Sequence, residues 1–371
     1  MCQGIFLHFN SDNNVDASGE VKKVRMQIKA MQEYGFKVKE VCIDKSKYID
    51  KFTRRIPLYP SCGFQILKKL IEEGISSCSF IYIRKYIVDS GFLFILKKIK
   101  KINPNIKILF EIPSYPYDSE WDRLIDRPML WKEKYNRKKL CHYIDRIVTL
   151  SDDKNIWDIP TLIIGNGIDI MKNQNIPMKK EETNTIILVG VALVAKWHGY
   201  DRVIKGLKEY YSQKVDKKVL FWIVGDGPEL SALNSMVQML GLENEVIFKG
   251  KKYGKELEEI YNQADIGVGC LGLYRKGVYK GASLKVREYC ARGLPFIKGD
   301  YDKVFDDSSF EYMLTFSNDD SLIDINKVVE FYSNIKNKGD FKNRILRFAE
   351  DNLSWKKQMG SVLNYLKESI V

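Results

Sequence analysis

The chain is poor in the residues that hold metals or form cross-links. Its three histidines stand at positions 8, 142 and 198, and its seven cysteines at 2, 42, 62, 78, 141, 270 and 290. There is no CxxC pair, and no histidine stands at ligand spacing from another histidine or a cysteine, so no dedicated metal site is expected. An odd, scattered set of thiols points to reduced cysteines in a reducing compartment. Long apolar runs are missing as well. None reaches the roughly 18 residues that a membrane span needs, and the longest candidate, 80–96, is broken by Arg84, Lys85 and Asp89. Residues 1–15 lack the charged start and apolar run of a signal peptide. Zinc-finger, RRM and KH signatures are absent, which argues against a nucleic-acid partner. The expected location is the cytoplasm.

Acidic residues are the scarcer charge. The formal net charge is +12 over 371 residues, and residues 1–170 hold 29 Lys+Arg against 21 Asp+Glu. Such a balance favours anionic partners, among them phosphorylated ligands and membrane surfaces. The densest patch, Lys97-Lys98-Ile99-Lys100-Lys101, follows the apolar run 91–96. It reads either as a helix lying on a membrane surface or as a packing helix with a solvated lysine end.

Short β-branched runs alternate with helix-length segments. The runs are 5–9, 38–43, 80–83, 106–112, 147–150 and 161–164, then 186–189, 219–224, 246–248, 266–270, 295–297 and 313–316. Helical patterns lie between them, as at 21–34, 202–211, 229–240, 255–263 and 284–292. This alternation predicts βαβ units, and hence two doubly wound parallel-sheet domains. We expect domains at 1–170 and 185–354, a polar junction at 170–184, and a terminal amphipathic helix from 355.

Several segments could carry chemistry. Gly225-Asp226-Gly227-Pro228 follows a strand and opens a helix, which suits either a tight turn or a close backbone approach to an anion. Gly281, Ala282, Ser283, Leu284 and Lys285 begin another helix. Ser283 is a candidate cap, and Lys285 opposes the helix dipole, as a cation does where an anion binds between them. Glu288 shares a face with Lys285, so the two form either a nucleoside-diphosphate site or an exposed ion pair. Lys196 and His198 stand at a strand's C-terminal end, where open α/β sheets bind ligands. Glu111, Asp118 and Glu120 are interleaved with aromatics in a loop that suits a sugar surface or a solvated turn. Asp300-Tyr301-Asp302 has the form of a metal-binding D-x-D but no supporting carboxylate cluster.

Together these pieces resemble the retaining glycosyltransferases of family 4, which have the GT-B fold. The likeness is strongest over 186–299, in "IVGDGPEL", "LGLENEVIFKGKK", "ELEEIYNQADIGVGC" and "SLKVREYCARGLPFI". "VTLSDDKN" and "IIGNGIDI" are similar to the family's interdomain region, and "EIPSYPYDSEW" to its surface or capsular polysaccharide enzymes. The resemblance implies two Rossmann-like domains facing across a cleft, the C-terminal helix crossing back to the first, and metal-independent transfer from a UDP- or GDP-sugar. It implies that Glu288 holds the ribose, as the second Glu of E-x7-E, and that Lys285 is the Lys of S-x-K-x-x-E. Gly19 matches the acceptor-side glycine near the donor phosphate, and Tyr253 a base-stacking position. Two positions depart from the pattern. Lys280 replaces the Glu that contacts the transferred sugar, and Leu193 stands where a diphosphate-binding Arg is expected, leaving Lys196, aided by His198, as the substitute cation. The implied acceptor is a saccharide, lipid-linked at the inner membrane face. A sugar-nucleotide epimerase and a non-catalytic partner subunit are the other readings.

Overall fold

In a computed structural model, residues 3–10, 19–45, 56, 59–61, 63–118, 124–168 and 184–370 are described. The chain divides into two compact units, Met1–Gly165 with Trp355–Val371, and Asn166–Ser354.

Unit 1 begins with β1 (Gln3–Asn10), α1 (Gly19–Glu33) and β2 (Lys37–Asp44), followed by α2 (Phe64–Glu72), β3 (Phe80–Arg84), α3 (Ser90–Ile102) and β4 (Lys107–Ile112). After α4 (Arg127–Arg137) come β5 (Arg146–Thr149), β6 (Asn155–Ile156) and β7 (Ile159–Ile163). The strand order is β2-β1-β3-β4-β5-β7-β6. All pairs are parallel except the β6–β7 hairpin, which alternation alone did not predict. The central strands β1 and β3 are buried nearly end to end. That is why they read as continuous apolar runs: helices cover both faces of a parallel sheet.

Unit 2 runs β8 (Thr185–Leu193), α5 (Tyr200–Tyr211), β9 (Lys218–Asp226), α6 (Leu230–Leu240), β10 (Val246–Gly250), α7 (Gly254–Gln263) and β11 (Ile266–Val268). It continues with α8 (Leu284–Cys290), β12 (Phe296–Lys298), α9 (Lys303–Asp306), β13 (Met313–Thr315), α10 (Ile325–Asn337) and α11 (Phe341–Asn352). Its sheet is parallel throughout, ordered β10-β9-β8-β11-β12-β13. The predicted terminal helix is two pieces, α12 (Trp355–Gln358) and α13 (Gly360–Ile370), and both belong to unit 1. Trp355, Met359, Val362, Leu363 and Leu366 join the same core as Phe6, Phe80 and Tyr82.

Each sheet reverses direction beside its first strand, between β1 and β3 in unit 1 and between β8 and β11 in unit 2. Open α/β sheets bind ligands at the carboxyl ends of strands at such switch points. The lysine-rich helix α3 is a packing helix: Phe92, Ile95, Leu96 and Ile99 are buried in the unit 1 core. Most of its apolar run is thus turned inward, with Phe94 left exposed.

Candidate functional site

In unit 2 the loops after β8 and β11 meet at the switch point. The Leu271 and Gly272 N–H groups donate to the His198 and Trp197 carbonyls at 3.1 and 3.2 Å. Arg202, fully buried, donates to the carbonyls of Leu271, Ser317 and Ser321 and so ties two loops to α5. Arg275 grips Asp201 through both guanidinium nitrogens at 2.7 and 2.9 Å. These contacts fix the backbone around the strand ends.

Gly225 and Gly227 serve this packing. Both have positive φ, and a Cβ at either would lie within 2.2 Å of the Ala192 or Val194 carbonyl oxygen. The Gly-Asp-Gly turn therefore lets β9 close against the loop leaving β8. The need for glycine there is backbone contact within the fold.

Helix α8 is anchored by its buried side. Val286, Tyr289 and Cys290 lie in the core, and the Tyr289 hydroxyl donates to the Val268 carbonyl at 3.0 Å. Arg287 makes a buried bidentate pair with Asp302 at 2.5 and 3.1 Å. Leu284 and Glu288 face outward in consequence, while Lys285 is half-buried. The expected cap differs: Ser283 has extended backbone but makes no side-chain capping bond. The helix also ends at Cys290, two residues short of the predicted end, so with seven residues its dipole is short.

The Lys285 ammonium donates to the Tyr200 hydroxyl at 3.4 Å and lies 5.5 Å from that ring's centroid. Burial brings it down to about 8, opposed by Cys270 and Glu288. A lysine held by a phenol rather than a carboxylate keeps its charge available to a ligand. His198 is 6% exposed, and its Nδ1 accepts the Ala195 N–H at 3.0 Å. Burial, reinforced by Lys285 and Lys276, takes its pKa to about 3. The ring is therefore neutral at physiological pH, and with Nδ1 accepting, its proton sits on Nε2 as a donor. Glu288 is exposed beside Tyr261, whose titration it raises after burial.

The cations acting on His198 are Lys285 and Lys276. Lys196 is exposed on the same turn as His198. Lys276 was not singled out from the sequence. Its ammonium lies 4.4 Å from the Trp197 ring centroid, a contact that no sequence spacing announces. Tyr253 is 73% exposed before α7, just past β10. Asn166 donates to the Ala282 carbonyl at 2.6 Å.

Asp300 is the first acid of the D-x-D segment, and unlike Asp302 it is not held by an arginine. It is 1% exposed, and neither carboxylate oxygen has a hydrogen-bond partner. Burial raises it to about 6, with Lys298 pulling down and Asp302 pushing up. A Cβ on Gly281 would lie 2.7 Å from its Oδ2, so the carboxylate sits against the backbone leading into α8. Asp302 is engaged by Arg287, and no group of three potential metal ligands exists among the described residues.

In unit 1 the predicted acids behave differently. Glu111 is fully buried and accepts from Gln27, Tyr82 and Arg84 at 3.1, 2.8 and 2.7 Å, with Lys23 at 3.4 Å. Burial opposes its charge, yet Arg84 and Lys23 hold its carboxyl below the ordinary range. Asp118 is paired with Arg137 at 2.6 Å and Lys134 at 3.1 Å. Gly19 opens α1, and Glu120 lies outside the described residues.

Residues 169–307 match the family profile described as glycosyl transferases group 1. No curated protein matches the chain. Among solved structures it is similar to a glycosyltransferase from Rickettsia africae ESF-5, at 12% identity and TM-score 0.62, covering 100% of this chain and 98% of that one. It is also similar to HepE of Anabaena in complex with UDP and glucose, at 11% identity and TM-score 0.62, covering 99% and 100%. A sucrose-phosphate synthase from Thermosynechococcus elongatus aligns at 14% identity and TM-score 0.61, over 99% and 100%. At these identities the likeness speaks for the fold: two parallel-sheet α/β units in the GT-B architecture.

Proposed function

We propose that the chain is a retaining glycosyltransferase that moves a sugar from a UDP- or GDP-sugar to a saccharide acceptor, lipid-linked, in bacterial surface polysaccharide assembly. One observation carries the reading. At the switch point of unit 2, Lys285 is held by an uncharged phenol, beside a neutral His198 whose free proton is on Nε2. Two such donors at one strand end suit a diphosphate. The group 1 profile spans this segment, and HepE, of similar fold, was solved with UDP and glucose.

The roles follow from charge. As the glycosidic bond breaks, negative charge grows on the departing diphosphate, and Lys285 and His198 Nε2–H stabilise it there. Lys276 or Lys196 supplies a further cation. Glu288 accepts hydrogen bonds from the ribose hydroxyls, and Tyr253 offers a ring to the base. Retention fits attack from the face the phosphate leaves, with a phosphate oxygen taking the acceptor's proton. The residues present can neutralise the diphosphate without a divalent ion. Lys280 cannot accept from sugar hydroxyls as a Glu would, and Asp300 is the nearby carboxylate that could. The acceptor belongs to unit 1 on this reading, at the inner face of the membrane. With Glu111 engaged by four partners, Asp118 is the described acid with a third of its surface open, and it orients the acceptor rather than deprotonating it.

The test is a calorimetric titration with UDP and GDP, followed by transfer assays over a donor and acceptor panel. Donor binding with acceptor-dependent turnover, lost in Lys285→Ala and Glu288→Ala, is expected. Conversion of donor without acceptor would mean an epimerase. Donor binding with no turnover on any acceptor would favour a partner subunit.

A further inference from the structure

Helix α4 is amphipathic in the reverse sense. A surface helix ordinarily turns its apolar stripe to the core and its charges to water. On α4 the buried residues are Met129, Lys132, Glu133 and Asn136, three of them polar. Trp131 and Tyr135 are instead 54% and 60% exposed. The 3-10 turn leading into the helix, Leu124–Asp126, adds Leu124 at 75% and Ile125 at 57%.

The reversal is pinned by buried charge. Lys132 donates to the Tyr59 carbonyl at 2.5 Å and stands 4.0 Å from Asp89. Glu133 pairs with Lys85 at 3.0 Å and accepts from the Tyr117 hydroxyl. Asn136 donates to the Lys132 carbonyl. Turning the helix about its axis would strand Lys132 and Glu133 without partners, so the aromatics are held outward.

The outward stripe is Arg127, Trp131, Lys134, Tyr135 and Lys138, at helical spacing, with Lys139 beside it. The Trp131 and Tyr135 rings are stacked, with centroids 6.2 Å apart and planes 12° apart, and the Lys139 ammonium lies 3.9 Å from the Tyr135 centroid. Lys134 also reaches Asp118 at 3.1 Å. Between 124 and 139 no acidic residue is exposed: Asp126 is half-buried and Glu133 is buried.

We propose that this face docks on an anionic lipid bilayer. Leu124 and Ile125 enter the acyl boundary, Trp131 and Tyr135 rest at headgroup depth, and Arg127, Lys138 and Lys139 meet lipid phosphates. A second copy is the poorer occupant, because a twofold contact sets a patch against itself and would bring these cations face to face. The docking bears on the lipid-linked acceptor reading, but it stands on the exposed residues and not on catalysis.

The full-length protein is sedimented with vesicles of phosphatidylcholine alone and with added phosphatidylglycerol, at low and high salt. Wild type is expected to bind the anionic vesicles, less so at high salt, and Trp131→Ser/Tyr135→Ser to bind roughly tenfold more weakly. The melting temperature should be unchanged, since both side chains are exposed. Three results overturn the proposal: no binding of wild type to anionic vesicles at low salt, equal binding by the folded double variant, or a wild-type dimer in solution that the double variant abolishes. Transfer to a soluble acceptor analogue is assayed in parallel. Transfer without vesicle binding refutes the docking alone, and vesicle binding without transfer on any donor refutes the catalytic reading alone.

Discussion

Glu111 and Asp300 are both carboxylates buried at or just beyond the C-terminal end of a parallel strand, at 0% and 1% exposure, and their surroundings are opposite. Around Glu111, Arg84, Lys23, Tyr82 and Gln27 close a network in which the charges satisfy one another. Around Asp300 no donor reaches either oxygen, and Lys285, in the same unit, leans on a neutral hydroxyl. A closed network stabilises a fold, whereas charges left without counter-charges are costly unless something else meets them. On the proposed reading, the strand ends of unit 2 are the ones that meet a ligand.

The largest expected effect is on the closed side. Glu111→Ala leaves Lys23 buried without its ion-pair partner and Arg84 with only the exposed Glu20, which costs about 3–5 kcal/mol. Denaturant unfolding should show that loss, and a change below about 1 kcal/mol would mean that the network is open to water after all. Lys285→Ala should do the reverse. Transfer, measured as kcat/KM, should fall roughly 100- to 1,000-fold, while the melting temperature holds, because no buried counter-charge is stranded. Wild-type turnover in a folded Lys285→Ala protein would remove the site.

Asp300 sharpens the contrast through pH. Its folded pKa, about 6, lies above the ordinary 3.8, so the folded state binds this proton more tightly than the unfolded state does. Stability therefore falls as pH rises from about 4 to 6, and the penalty is complete above that. Asp300→Asn should be more stable than wild type by about 1–3 kcal/mol at pH 8 and equal to it below pH 4. Equal melting curves at pH 8 would show the carboxylate to be solvated. A gain in stability accompanied by weaker discrimination among donor sugars would place the carboxylate at the sugar.

Much of this was legible in sequence, for a physical reason. Strands buried on both faces must be apolar throughout, so runs such as Phe80-Ile81-Tyr82-Ile83 announce themselves. The turns that follow strands carry Gly225, Lys196 and Gly281 in recognisable order. What stayed hidden was three-dimensional pairing. Nothing in the spacing of Glu111 told that Gln27 and Arg84 would converge on it, or that Asp300 would find no partner. The helix-opening Ser283 satisfied every local rule for a cap and makes no capping bond. The sequence pattern points to Lys196 as the substitute cation, and only the fold sets Lys276 where it acts on His198.

The smallest effect distinguishes the two titratable donors of unit 2. Lys285, at about 8, is charged below that pH and neutral above it. His198, at about 3, does not change charge between pH 5 and 9. UDP affinity should therefore be flat from pH 7 to near 8 and then weaken, approaching tenfold for each further unit. Binding should take up a proton on the alkaline limb, because the diphosphate favours the charged lysine. Lys285→Arg keeps its charge at every pH tested, so its profile should stay flat to pH 9.5, even if the bulkier head binds more weakly throughout. A transition near pH 6.5 that persists in Lys285→Arg would mean that His198 titrates, that its ring is wetter than its 6% exposure allows, and that the donor is met by an imidazolium rather than by the Nε2–H of a neutral ring.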